Sequence, residues 1–478
     1  MHIIDVIIVL IYLVLCIFVA LYKFKSIKII REYAIGRGYF SNTVIITTLF
    51  VTNLNAASVL GGIEKVYTLG IFFIVVRLFS PLFWLIMAKI CGENIDQFRG
   101  CISVSDIMAL LYGKIGRWVT NTTSMLASIG VVAMQAAAMG HIANYCFGTA
   151  YHQSVIITVL ILALYSSLGG IRAIAFTDVF QFAVIIVALP VAFSFAYHDV
   201  GGYRGIVNSL PDEMITLDIN RDNAFSFWSL IICSILPRPT GVFVQRFFMS
   251  RDSIQLTYCL NVAAVISFFF AIIICMIGLI LKIKEPDIEP HIVFIHFIID
   301  HIAVGFKGLI IVGLLAVIMS TADSWLNTTS VLFTHDMIRE VILLNERQAL
   351  LVARIFTFLI SIFAAFLALN QNGLIEIQFI TANFWGPLMT IPLSVGFLKF
   401  RTNSKSFIAA AILAILSTSI SGYIIGDFAT ISLMCGMIGS AIGLFGMHYL
   451  QVYLGTLNIH TLSIVTQPIS LEVLKVKI

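Results

Sequence analysis

A chain of 478 residues that is 60% hydrophobic and only 11% charged does not have the surface of a soluble protein. Soluble domains carry roughly twice that density of charge. Eight scattered cysteines without a C-x-x-C pair read as small apolar core residues and exclude a metal or redox centre built on thiolates. The net charge of +4 carries no message about partners until it is mapped onto the two sides of a membrane, and nucleic acid is not expected among them.

Apolar runs of about 18 residues or more, each long enough to cross ~30 Å of hydrocarbon as a helix, recur from end to end. They predict about thirteen spans, near 3–22, 41–62, 66–91, 118–147, 153–168, 171–197, 226–246, 257–281, 302–333, 349–369, 373–397, 405–424 and 428–450. The first, "IIDVIIVLIYLVLCIFVALY", has no basic flank before it and no A-x-A site after it. It is therefore expected to be retained as a span rather than removed as a signal peptide. With the N-terminus outside, the inside segments collect 21 of the 28 Lys and Arg and the outside segments six, leaving Arg77 alone in mid-span. The positive-inside rule favours that orientation, with the C-terminus in the cytoplasm of a cell (inner or plasma) membrane.

The second span, "IITTLFVTNLNAASVLGG", is interrupted by Asn53 and Asn55, with a glycine pair after them. The third carries Arg77 seven or more residues from its nearer end. There a guanidinium faces the protein interior and offers a bidentate fork to a carboxylate. The fourth contains Gln135 in "MQAAAM", a weaker candidate beside a small-residue packing face. The sixth contains Asp178 with Gln181 on the same helical face, and an interfacial pairing of Asp178 with Arg172 is the plain alternative. The seventh, "LIICSILPRPTGVFVQRF", is broken by Pro237, Pro239 and Gly241. Free carbonyls at bilayer depth survive only inside protein or along a watery cavity. Two broken helices in matching positions point to an inverted-repeat secondary transporter.

The ninth span follows "LIIVGLLAVI" with "MSTADSWLNTTSVLFTHD". Ser320, Thr321 and Ser324 share a face, with Asp323 and Asn327 beside them. Such oxygens suit a hard cation, although a lone hydroxyl in a membrane helix more often serves helix packing. Asp323 shifts the balance, because a mid-bilayer carboxylate costs on the order of 2.5–3.5 kcal/mol and usually faces an ion or a pathway.

Four segments, "EYAIGRG" (32–38), "GGIRAIAFTDVFQ" (169–181), "VFVQRFFMSRD" (242–252) and "MSTADSWLNTTSVLFTHDMIR" (319–339), resemble the sodium:solute symporter family in order and spacing. The resemblance covers spans one to eleven. It implies an all-α polytopic membrane protein of about 13 helices, with a 5+5 inverted-repeat, LeuT-like core and coupled uptake of Na⁺ and solute. On that pattern residues 1–40 form the first span and a cytoplasmic linker, and 41–197 the first five-helix repeat. Residues 198–225 form an extracellular loop, 226–400 the second repeat, and 401–478 two last spans and a tail. The family's main sodium site falls on the carbonyls of Val51, Leu54 and Val317 and the hydroxyls of Ser320 and Thr321. A second sodium, present in some members, falls on Asp178, Ser320, Asp323 and Ser324, where Asp323 departs from the hydroxyl found in some relatives.

The solute is expected beside Asn53, Asn55, Ser58, Arg77 and Gln135. Where sugar-carrying relatives have acidic and amide residues, this chain has Ala57, Ser58 and Arg77, which argues for a carboxylate-bearing solute such as an amino or organic acid. The partners expected are Na⁺, a small solute and the bilayer, without an obligate protein partner. The chain is not read as an enzyme, since neither aspartate lies in a hydrolase motif. Proton coupling on the same fold and a non-transporting solute sensor are the rival readings.

Overall fold

The computed structural model describes residues 1–24, 27–36, 39–219, 224–369, 374–425 and 430–456. The tail from residue 457 and residues 37–38 of the "EYAIGRG" segment lie outside the described residues. Among the described residues there is no β-strand. The principal helices are α1 (Ile3–Phe24), α2 (Asn42–Asn53), α3 (Ala56–Leu69), α4 (Ile71–Phe79), α5 (Val104–Phe147), α6 (Tyr151–Asp199) and α7 (Ala224–Ile235). They continue with α8 (Gly241–Phe247), α9 (Ser253–Lys284), α10 (Phe306–Val331), α11 (Glu346–Leu369), α12 (Leu374–Phe397), α13 (Ser404–Ile425) and α14 (Thr430–Tyr453).

Among the described residues eight helices are long and apolar enough to cross a bilayer, or nine crossings if the pair α2–α3, bent by 53° at its break, is one span. Shorter apolar helices at Ile3–Val19, Tyr151–Ser167 and Ala224–Ile235, together with α12, match the remaining expected spans. The fold class is the expected one. Both predicted interruptions are present, α2–α3 at Leu54–Asn55 and α7–α8 at residues 236–240.

Burial explains which helix tolerates polar side chains. The most apolar stretch of the Phe306–Val341 span is 89% buried inside the protein, against 28% for Ser404–Ile425 at the periphery. The span containing α10 is therefore wrapped by protein, against α1, α2, α5 and α6, and its hydroxyls never meet lipid. Its N-terminus is capped from far away in sequence: the Asp5 carboxylate on α1 accepts the backbone N–H groups of Gly305 (2.7 Å) and Gly308 (2.9 Å).

α6 runs 49 residues only because two helices meet at Gly170, whose φ of +56° and ψ of −179° are open to glycine and costly for other residues. The break coincides with the expected boundary between the fifth and sixth spans. An added Cβ there would lie 2.8 Å from the Tyr33 ring and 2.9 Å from Ile27. Gly170→Ala is expected to cost about 1–3 kcal/mol, read as a lowered unfolding temperature of the purified protein. An unchanged transition would contradict this account of the turn.

Candidate cation and solute site

The interruption of α2 begins with a hydrogen bond that is not made. In a continuous helix the Asn55 N–H would close on the Val51 carbonyl; here it donates to Ser58 Oγ at 2.8 Å. Asn55 Oδ1 accepts the Ser58 N–H at 2.9 Å, completing a capping box that starts α3. Leu54 between them is extended, at φ −83° and ψ 97°. The carbonyls of Val51 and Leu54 are thereby turned out of the helical ladder and need partners outside it.

Helix α10 supplies the answering groups. Ser320 Oγ lies 3.2 Å from the Val51 carbonyl and 3.0 Å from that of Val317. Thr321 Oγ1 lies 3.5 Å from Leu54 O and 3.3 Å from Val317 O. All five residues are buried. Two hydroxyls own two hydrogens for three carbonyls, so lone pairs remain pointing inward. Oxygens about 2.4 Å from a central hard cation stand about 3.4 Å apart along the edges of an octahedral shell, which is the spacing found here. The four hydroxyl–carbonyl distances, 3.0 to 3.5 Å, bracket that edge length, so these oxygens are the candidate ligands of a sodium-sized ion.

One turn further along α10 the picture departs from expectation. Asp178 does not pair with Arg172; its Oδ2 accepts the Thr48 hydroxyl and lies 3.6 Å from Arg246 Nη2. Arg246, fully buried on α8, also donates from Nε to Thr48 Oγ1 (3.0 Å) and from Nη2 to Ser324 Oγ (2.5 Å). Ser324 passes its own proton to the Ser320 carbonyl at 2.6 Å. Asp323 accepts the Tyr165 hydroxyl at Oδ2 (3.2 Å), and its Oδ1 lies 3.4 Å from Ser324 Oγ. Two of the four groups expected around a second sodium, Asp178 and Ser324, thus already face a cation, the Arg246 guanidinium. Gln181 is engaged elsewhere, donating to the Tyr12 hydroxyl at 3.2 Å.

Beside the break lies a cavity of about 580 Å³, within the range of small-molecule sites. Four of the five expected solute residues, Asn53, Asn55, Ser58 and Arg77, are on its wall. Gln135 is not among them; it is fully buried and accepts the Ala56 N–H at 3.4 Å, supporting the start of α3 rather than facing solute. Thr52 and Leu54 also line the cavity and connect it to the five-oxygen cluster. Arg77 donates from Nη2 to the Ser58 carbonyl at 3.2 Å, while its buried Nε has no partner.

Sequence reasoning missed Arg238, Arg246, Thr48 and Tyr165. Arg77 is not the only intramembrane arginine, because Arg238 stands on the cavity wall between the two prolines of the seventh segment. Its signal was an arginine inside a predicted span, the same signal that singled out Arg77. Arg246 sits at the end of that span. Thr48 and Tyr165 carry no pattern that distinguishes them from packing residues.

Broken helices around a buried oxygen cluster and an adjoining cavity define a secondary transporter of LeuT-like architecture. Its fold superimposes on a substrate-bound, outward-open Na⁺-coupled sialic acid symporter with a TM-score of 0.82 at 18% identity, covering 95% of this chain and 98% of that one. Residues 33–414 match the sodium:solute symporter family, and the chain belongs to it. It is 22% identical over 454 residues to a sodium/pantothenate symporter of Escherichia coli K12, covering 89% of this chain and 93% of the relative. It is 24% identical over 325 residues to sodium/glucose cotransporter 1 of Oryctolagus cuniculus, covering 56% and 48%. The protein is a multi-pass membrane transporter for sodium-coupled solute uptake, not an enzyme, and Na⁺ is its coupling ion.

Removing one member of a buried ion pair leaves the other uncompensated. Arg246→Met is expected to destabilise the protein by about 3–5 kcal/mol through the stranded Asp178. The double variant Asp178→Asn, Arg246→Met should recover part of that loss. Comparison of unfolding temperatures checks both, and additive losses would contradict the pairing.

Proposed function

We propose that the protein takes up a carboxylate-bearing solute, an amino acid or organic acid, together with one Na⁺ by alternating access. The observation that carries this reading is the junction of two features at one break. The oxygens of Val51, Leu54, Val317, Ser320 and Thr321 converge on one side, and a cavity presenting a guanidinium opens on the other. Na⁺ at the five oxygens ties α2 to α10 and closes the gap left by the missing helical bonds, which favours the state that offers the cavity to solute. Arg77, with a buried donor still free, then receives the carboxylate beside Asn53, Asn55 and Ser58. The names of two relatives agree in chemistry, pantothenate and sialic acid both being acids, whereas a sugar would leave the Arg77 charge without a counter-ion.

Arg246 takes the place of a second ion at Asp178 and Ser324, so one sodium per cycle is the stoichiometry this cluster supports. One Na⁺ with a monocarboxylate is electroneutral, and a tenfold Na⁺ gradient then supplies about 1.4 kcal/mol, a tenfold accumulation. A zwitterionic amino acid moves one positive charge, and ~100 mV adds about 2.3 kcal/mol. We place the N-terminus outside and the C-terminus in the cytoplasm of a plasma or inner membrane, supported by the Lys and Arg distribution. The repeats run over 41–197 and 226–400, each opening on a broken helix.

Uptake of radiolabelled amino and organic acids into proteoliposomes, with inward Na⁺ against matched K⁺, tests the reading. We expect sodium-dependent uptake of a carboxylate solute, a Hill coefficient for Na⁺ near one, and at least a roughly tenfold loss in Arg77→Gln. Unchanged uptake in Arg77→Gln would remove the carboxylate assignment, and a coefficient near two the single-ion assignment.

A further inference from the structure

The cavity carries two guanidiniums rather than one, Arg77 and Arg238, and among its described lining residues none is acidic. Among the described residues no carboxylate bears on either charge. Intramembrane charges are normally paired, and the one described carboxylate–arginine pair in the bundle core, Asp178 with Arg246, shows this chain obeying that rule where no solute enters. Arg238 is held at the α7–α8 break by flanking prolines that fix its backbone, and it is exposed toward the cavity. Two residues on, Thr240 Oγ1 is a buried hydroxyl without a partner on the same wall. Arg77 stands on α4 and reaches back to the Ser58 carbonyl just after the α2–α3 break, whereas Arg238 sits within the α7–α8 break. Eight aromatic rings, among them Phe73, Phe243, Trp325 and Trp385, make up much of the remaining wall.

From this we infer that the transported solute carries two carboxylates joined by an apolar segment, one received by Arg77 and the other by Arg238 with Thr240. The inference rests on the carboxylate reading of the preceding section and narrows it. A solute held by both arginines bridges α4 and the α7–α8 break, a link that a monocarboxylate cannot make. Charge transport favours the member of this class that also bears an ammonium group. Its net charge of one negative is balanced by one Na⁺, whereas a simple dianion with one Na⁺ moves negative charge against an inside-negative potential. Arg238 is thus a specificity-determining residue.

A matched set of four six-carbon probes tests this on the purified full chain: adipate, L-2-aminoadipate, hexanoate and L-norleucine. Binding is read as the thermal shift on titration in NaCl. Each dicarboxylate is expected to bind at least about tenfold more tightly than its monocarboxylate partner. Arg238→Gln should abolish that difference, and Arg77→Gln should weaken all four probes. Retention of the stabilisation by NaCl over KCl in Arg238→Gln shows that the variant is folded. Equal binding of mono- and dicarboxylates, or a preference for dicarboxylates that survives Arg238→Gln, overturns the two-carboxylate inference while leaving the carboxylate reading standing. Failure of all four to bind in NaCl overturns both.

Discussion

Carbonyl groups in a membrane must have partners, and the break in the second span leaves those of Val51 and Leu54 without helical ones. Most of what is distinctive in the structure answers that constraint. The Asn55–Ser58 capping box takes two of the donors released by the break and Gln135 takes that of Ala56, while the carbonyls of Val51 and Leu54 are left to α10. Acceptors are satisfied by hydrogens or by a cation. Ser320 and Thr321 provide too few of the former and, with Val317, enough oxygen for the latter. Because α2 and α10 lie far apart in sequence, any ion seated between them becomes a tertiary contact, and its presence or absence biases how the two helices sit.

The same economy governs the charges. Arg246 spends its donors on Asp178's neighbour Thr48, on Ser324 and on the Val242 carbonyl, and so holds α2, α6, α8 and α10 at one point. Asp323 is held by the Tyr165 hydroxyl through Oδ2 and lies 3.4 Å from Ser324 Oγ through Oδ1. The carboxylates are thus withdrawn from the cavity, while two guanidiniums face it. Positive charge lines one wall of the cavity, and an oxygen cluster lies at the break beside it.

Much of this was legible in the residues. Span length and apolarity locate the helices because the bilayer fixes both. The interruptions were legible because asparagine, proline and glycine act on the backbone locally. Ser320 and Thr321 stood out as hydroxyls on one helical face, and the family resemblance supplied their carbonyl partners. Partner choice was not legible where it depends on packing between distant segments. Nothing in "VFVQRF" says that Arg246 reaches Asp178 rather than solvent, and nothing near Asp178 says that Arg172 does not. Gln135 was misplaced for a related reason: its helix faces both the cavity and the break, and rotation about the helix axis decides between them. Arg238 went unassigned although it lies well inside the predicted span 226–246, because the prolines on either side drew the reading to the backbone break rather than to the charge between them.

The most direct test of the sodium site is the unfolding temperature of the purified protein in NaCl against matched KCl and choline chloride, for the wild type and Ser320→Ala. An ion that binds only the folded state at 100 times its dissociation constant adds about 2.7 kcal/mol. The account predicts a rise specific to NaCl that Ser320→Ala removes while leaving stability in KCl within about 1 kcal/mol of wild type. Equal stability of the wild type in all three salts, or a sodium-specific rise that survives Ser320→Ala, would contradict it.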